Sequence, residues 1–225
     1  MKTTMKAMGL MLAMSLLALW GAQTVQAAPD TDTDYFTITV TPSVDLGVDV
    51  DTTNAKFVGG DTIGSMNLPL AVGGTAYMET PAVVRILGNY NKQEIQLKAE
   101  CLDSWTIDSD FSAEEDKVQV YALFAESKGS TPSEAEFDEG LDARHMIQDT
   151  NKLAGAAQGN EGSTNVLSYF SYNPESKPAW SAYMDDLAVN AQKELWLRVD
   201  APPTSLSDDT QRIVVTLTAV NGKNQ

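Results

Sequence analysis

Residues 81–102, PAVVRILGNYNKQEIQLKAECL, decide the fold class of this 225-residue chain. Apolar and polar side chains alternate strictly over residues 94–101, as they do in a β-strand with one buried face. Residues 82–87 are apolar and β-branched, and residues 88–91 between the two runs tolerate positive φ. The stretch therefore predicts a β-hairpin, with Cys101 on its inward, core-facing row.

Similar patterns recur along the rest of the chain. Strands are predicted at residues 35–41, 44–50, 66–72, 117–125, 166–171, 194–200 and 211–220, and no strong amphipathic helix interrupts them. About eight or nine strands predict an all-β fold, an immunoglobulin-like or jelly-roll-type antiparallel β-sandwich. We expect residues 35–225 to form a single domain with an irregular insertion at residues 126–165.

The first 27 residues have the composition of a signal peptide. Lys2 and Lys6 precede an apolar segment at residues 8–20, and residues 25–27 have the small side chains of a cleavage site. Residues 28–34 are polar and acidic and are expected to form a flexible leader. We therefore expect a secreted protein, located in the periplasm, on the cell surface or outside the cell, with no membrane insertion after cleavage.

Charge and cysteine content narrow the choice of partners. The formal net charge of −16 argues against nucleic acid, because that binding depends on basic groups that displace counterions. This charge leaves solubility, cation binding or a basic partner as its role. We also expect self-association or a protein partner. Since one cysteine cannot form a disulfide within the chain, packing alone must hold the core.

Sequence signatures of catalysis are missing. No GxSxG, Walker A, dinucleotide-binding or HExxH motif occurs, and His145 is the one histidine. We expect His145 on the surface of the insertion, where it is too isolated for a catalytic triad or a zinc site. The sequence thus predicts a protein that is not an enzyme and has neither catalytic nor cofactor-binding residues. A secreted hydrolase, which would need two facing carboxylates, is the weakest of the functions that we consider.

Acidic clusters supply the candidate metal ligands. Glu114, Glu115 and Asp116 form one cluster, and Asp185 and Asp186 form another. Such charges are usually solvated in loops; the alternative is that one cluster binds calcium together with backbone carbonyls. Calcium is the one cofactor that we consider.

Trp180, Tyr183 and Trp196 are the candidates for contact with a partner. The phase of the strand at residues 194–200 directs Trp196 outward, so that either a loop covers it or it contacts another molecule. Aromatic side chains of an all-β domain otherwise fill the core and its edges. Exposed aromatic rings could instead stack on a carbohydrate.

The chain resembles a group of uncharacterised secreted bacterial proteins with an immunoglobulin-like β-sandwich. The resemblance lies in TITVTPSVDLGVDV (37–50), LPLAVGG (68–74), QLKAECLDSW (96–105), YALFAE (121–126), ELWLRVDAPP (194–203) and QRIVVTLTAV (211–220). It implies the fold and no activity, and no functional residues carry over from it.

From these observations we expect a non-enzymatic protein that acts by contact, as a surface, filament or matrix subunit of the cell envelope or the extracellular space. Its terminal strands are apolar and suited to pairing with a neighbour at a sheet edge. The alternative is a calcium-assisted carbohydrate-binding module.

Overall fold

The computed structural model describes residues 44–60, 68, 70–110, 112–137, 145–156, 168–171, 182 and 184–222. These residues belong to one unit of the chain, Ser43–Gln225. The predicted signal peptide, leader and strand at residues 35–41 lie outside the described residues. No helix in the described ranges is long and apolar enough to cross a membrane.

The described residues form an all-β fold, as the alternating sequence predicts. They contain twelve strands and one short helix: β1 Leu46–Asp51, β2 Lys56–Phe57, β3 Thr75–Thr80, β4 Ala82–Gly88, β5 Gln93–Cys101, β6 Thr106–Ile107, β7 Lys117–Ala125, α1 Glu134–Phe137, β8 Lys152–Leu153, β9 Gly155–Ala156, β10 Ser168–Tyr169, β11 Gln192–Asp200 and β12 Ile213–Asn221. All pairs are antiparallel except β6 with β7.

The larger sheet is built around β11. One edge of β11 pairs with β7, and the other edge pairs with both β3 and β4. Pro81 separates β3 from β4 because proline has no N–H to give to a ladder. β2 pairs with the edge of β3 that faces away from β11, and β1 pairs with the corresponding edge of β4. β1 thus lies at the margin of the sheet.

A smaller sheet, in the order β12, β5, β8, faces the larger one. The inward-facing side chains of β5 and β4 are fully buried in one core. They are Ile95, Leu97 and Ala99 of β5 and Val84 and Ile86 of β4. Each large apolar side chain buried in this way contributes roughly 1.5–3 kcal/mol to stability. The two sheets and this shared core constitute the predicted sandwich.

β4 and β5 do not form the predicted hairpin. Both strands lie where the sequence predicts them, but β4 pairs with β1 and β11, whereas β5 pairs with β12 and β8. Residues 89–92 therefore cross from one sheet to the other. The prediction of a hairpin was wrong because alternation fixes which side chains point inward, and two strands facing each other across a core show the same alternation as two paired ones.

Gln93 holds this crossing in place from inside the protein. Its side chain is fully buried, and Nε2 donates to the carbonyls of Leu87 (2.6 Å) and Tyr90 (2.9 Å). Its Oε1 accepts a hydrogen bond from the backbone N–H of Gly47 in β1 (3.1 Å). One side-chain amide thus binds three backbone groups at the crossing.

Gln93→Leu is expected to lower the free energy of unfolding by about 2 kcal/mol, because it leaves these three groups without the amide in a dry environment. Urea unfolding followed by tryptophan fluorescence measures the loss. The matched control is Gln96→Leu, the same change on the outward row of β5. Equal losses in the two variants would contradict a role for Gln93 in the crossing.

The described part of the predicted insertion at residues 126–165 closes one side of the sandwich. The N–H of Ile147 donates to Val120 of β7 (2.7 Å), and the carbonyl of Gln148 accepts from Ala99 of β5 (2.8 Å). Adjacent residues of the insertion thus bind different sheets. His145 in this segment is 1% exposed, so its predicted surface position was wrong. It is buried because its backbone adds to the edge of β7, where its carbonyl accepts from Ala122.

Candidate functional site

The first acidic cluster is engaged with protein groups. Asp116 Oδ1 accepts hydrogen bonds from the hydroxyl of Ser205 (2.6 Å) and the N–H of Leu206 (3.1 Å). Glu114 lies 2.9 Å from the ammonium of Lys117, and Glu115 is exposed. In the second cluster, Asp186 pairs with Lys92 at 2.9 Å. Across the described ranges, no group of three or more His, Cys, Asp or Glu side chains could hold a metal ion.

Asp108 is the buried carboxylate of the loop that precedes β7, and the sequence did not single it out. It is fully buried and accepts hydrogen bonds from Gln119 Nε2 (2.7 Å) and from the N–H groups of Ala113 (3.0 Å) and Asp110 (3.1 Å). Burial opposes its charge, but these hydrogen bonds outweigh burial and hold the pKa of the Asp108 carboxyl well below its usual value. Through these hydrogen bonds, the Asp108 carboxylate organises the loop that precedes β7.

Trp196 is buried, with 2% of its surface exposed, so the prediction of a contact residue was wrong and the alternative of a covering loop is observed. Its Nε1 donates to Glu194 (3.0 Å), and the same carboxylate accepts from the N–H of Lys128 in the segment after β7. That segment lies over the outward face of β11. Trp180 and Tyr183 fall outside the described residues.

Arg198 is buried beneath the same segment. Its guanidinium binds both oxygens of Asp200 (2.6 and 3.0 Å) and lies over the rings of Tyr121 (4.7 Å) and Tyr77 (5.8 Å). The ring of Phe137 from α1 packs on Tyr77. Around Trp196 and Arg198, this face of β11 is therefore an internal polar and aromatic layer.

Cys101 is half-buried at the end of β5 and packs against the core. Burial, and then the negative charge of Asp103, raise the pKa of its thiol to about 11. The thiol is therefore protonated at neutral pH and is a poor nucleophile.

The margins of the two sheets meet at β1 and β12. These strands lie side by side in different sheets. Among the described residues, β4 alone pairs with β1 and β5 alone pairs with β12. Each strand thus has one edge that no other described strand occupies; we call these the outer edges, and the region between them the β1–β12 seam.

The direction of the backbone groups in β12 follows from its ladder with β5. Just before β12, the carbonyl of Arg212 accepts a hydrogen bond from the N–H of Leu102, and just after it, the N–H of Gly222 donates to the carbonyl of Lys92. Even-numbered residues of β12 therefore direct their N–H and C=O groups toward β5. Backbone direction alternates along a strand. The N–H groups of Ile213, Val215, Leu217 and Ala219 consequently point to the outer edge.

Apolar side chains line the β1–β12 seam. Val48 and Val50 of β1 and Val215, Leu217 and Ala219 of β12 pack against the core, yet all five are half-buried. The equivalent row of β5 is fully buried because strands flank it on both sides. An additional strand at the outer edge of β12 would bury more of the apolar row of that strand.

The two outer edges differ in charge. β1 has Asp49 and Asp51 in its sequence, whereas β12, IVVTLTAVN, has no charged residue, proline or glycine over nine residues. Sheet margins are normally protected from pairing by charges, prolines or bulges. β1 follows this rule, whereas β12 has none of these protective features within its nine residues.

Comparison with known proteins adds no function: no protein-family model and no curated protein matches the chain.

Proposed function

We propose that this protein is a secreted, non-enzymatic structural subunit of the cell envelope or extracellular space that binds another polypeptide at the outer edge of β12. The single observation that carries the proposal is a nine-residue edge strand with no charge, beside half-buried apolar side chains. Addition of a strand to an exposed sheet edge is a common mode of protein recognition. The signal-peptide pattern at residues 1–27 supports export.

The energetics of strand addition favour a partner that is itself extended. The odd-numbered residues of β12 present N–H and C=O groups to the outer edge, and each hydrogen bond made there contributes about 0.5–1.5 kcal/mol net. Complete burial of the apolar row adds about 25 cal/mol for each Å² removed from water. Together these terms can offset the cost of ordering a second chain.

Within the residues that the structure describes, neither alternative function has an observation in its favour. Carbohydrate stacking requires exposed aromatic rings, but Trp196 is buried and Trp105 is half-buried, with Nε1 donating to Ser205 (2.9 Å). A hydrolase requires two facing carboxylates in a cleft, and the buried carboxylate of Asp108 is occupied by loop donors.

Ala219→Pro is expected to release the protein from the cell envelope or from filaments into the soluble fraction. Proline removes an N–H that points to the outer edge, so it blocks strand addition and leaves the ladder with β5 intact. The measurement is the distribution of the protein among medium, envelope and filament fractions of the producing cells.

Ala219→Ser is the matched control, since it keeps the N–H and nearly the same size; it should fractionate like the wild type. If Ala219→Pro does not fold, as judged by circular dichroism, Thr218→Lys tests the same edge with a charge. Finding the wild type entirely soluble, or finding Ala219→Pro still bound, would overturn the proposal.

A further inference from the structure

We infer that the polypeptide bound at the outer edge of β12 is a second copy of this chain, whose own β12 pairs with it antiparallel about a twofold axis. The inference rests on the proposed function and names the partner at that same edge. It is carried by the distribution of charge and by the order of side chains along β12.

Charge selects the kind of partner. A basic partner would gain more at the margin of β1, where Asp49 and Asp51 lie 3.6 and 3.0 Å from Arg85, than at a strand without any charge. The uncharged edge of β12 instead suits a partner as acidic as the chain itself, which carries a formal charge of −16. Two such copies repel each other, and the strand without charge is the place where they can approach at the lowest cost.

The side chains of β12 are self-complementary in one register. With Leu217 placed on the twofold axis, it faces its own counterpart, and Val215 faces Ala219 of the second copy. These facing side chains are all apolar, which favours close packing. In this register odd-numbered residues face odd-numbered ones, so the outward-directed backbone groups of the two copies meet and can form hydrogen bonds.

The result of this pairing is a closed dimer. The smaller sheets of the two copies join into one sheet in the order β8, β5, β12, β12, β5, β8. Because the same patch is used on both copies, each outer edge of β12 is consumed and the assembly stops at two.

Size-exclusion chromatography with light scattering on the full mature chain tests the inference, over about 1–500 µM protein and in low and high NaCl. We expect a dimer whose Kd falls roughly tenfold or more from low to high salt, because salt screens repulsion between like charges. Ala219→Pro should raise Kd at least twentyfold, and Ala219→Ser should leave it unchanged.

Cysteine pairing tests the register. In a Cys101→Ser background, Leu217→Cys should form a disulfide-linked dimer under mild oxidation, since facing residues have Cα atoms about 5.5 Å apart. Val215→Cys in the same background should not form one, because position 215 faces Ala219 of the second copy and lies four residues along the strand from the second copy's own position 215. Crosslinking of both variants alike would overturn the register.

Failure of this inference can be told from failure of the proposed function. A chain that stays monomeric at 500 µM, while Ala219→Pro still releases it from the envelope, overturns the second copy and retains another protein as the partner. Association that weakens with salt, assemblies larger than two, or a dimer indifferent to Ala219→Pro would each overturn the inference.

Discussion

Gly88→Ala is expected to lower the free energy of unfolding by at least about 3 kcal/mol, because the added methyl group has no room. Gly88 ends β4 with φ +89°, and a Cβ atom there would lie 2.2 Å from the carbonyl oxygen of Asp45. That oxygen belongs to backbone and accepts from the N–H of Asn89 (3.0 Å), so it cannot move aside cheaply. The left-handed φ alone costs about 1–2 kcal/mol, and the contact adds to it.

Gly129→Ala is the matched control. Gly129 has φ +72°, and nothing lies within 4 Å of a Cβ atom built on it. Its substitution therefore isolates the cost of the backbone angle. Urea unfolding of both variants, with tryptophan fluorescence and circular dichroism as coincident probes, measures the difference. Similar losses in both variants would show that the approach of Asp45 to Gly88 does not constrain the crossing.

Asp108→Asn is expected to cost about 3 kcal/mol at neutral pH and to change the acid sensitivity of the protein. The amide keeps the shape of the carboxylate but loses its charge, which weakens the hydrogen bonds from Gln119 and the loop backbone. Gln119 also accepts from the hydroxyl of Tyr121 (2.9 Å), so the loss extends to the layer around Arg198.

The pH dependence follows from the direction of the shift. The pKa of Asp108 in the folded protein lies below its value in the unfolded chain, about 3.9. Its stabilising effect is therefore complete above that value and is lost as the pH falls toward the folded-state pKa. Between about pH 5 and pH 3, the stability of Asp108→Asn should decline less than that of the wild type.

Asp110→Asn is the control for this effect. It makes the same chemical change two residues further on, at an exposed side chain, and should cost less than about 1 kcal/mol. Chemical denaturation at a series of pH values measures all three proteins. Parallel declines for the wild type and Asp108→Asn would contradict the assignment of the buried charge.

The candidate site was predicted in part. The sequence analysis noted apolar terminal strands suited to pairing at an edge, and β12 is such a strand. Trp196 was predicted to contact a partner, but it is buried beneath the segment that contains Lys128. The phase of a strand tells which way a side chain points but not whether a distant segment covers it. Lys128 reaches Glu194 from 66 residues away, and no local pattern encodes that contact.

The same limit explains why the roles of Gln93 and Asp108 could not be predicted from the sequence. In sequence, Gln93 is one more polar residue at the start of a strand, and Asp108 is one more acid in an acidic loop. Their burial depends on which backbone groups surround them after the sheets have packed. The short spacing of Asp108, Asp110 and Ser112 was the one local signal of a side chain bonded to nearby N–H groups.

The sequence by itself determined the all-β class, the positions of β4, β5, β7 and β11, and the inward row of β5, because side-chain alternation is a local property of an extended chain. Only the tertiary structure decided that β4 and β5 lie in different sheets and that β12 forms a margin. Strand pairing depends on contacts between residues far apart in the chain, and a period of two is the same whichever neighbour a strand takes.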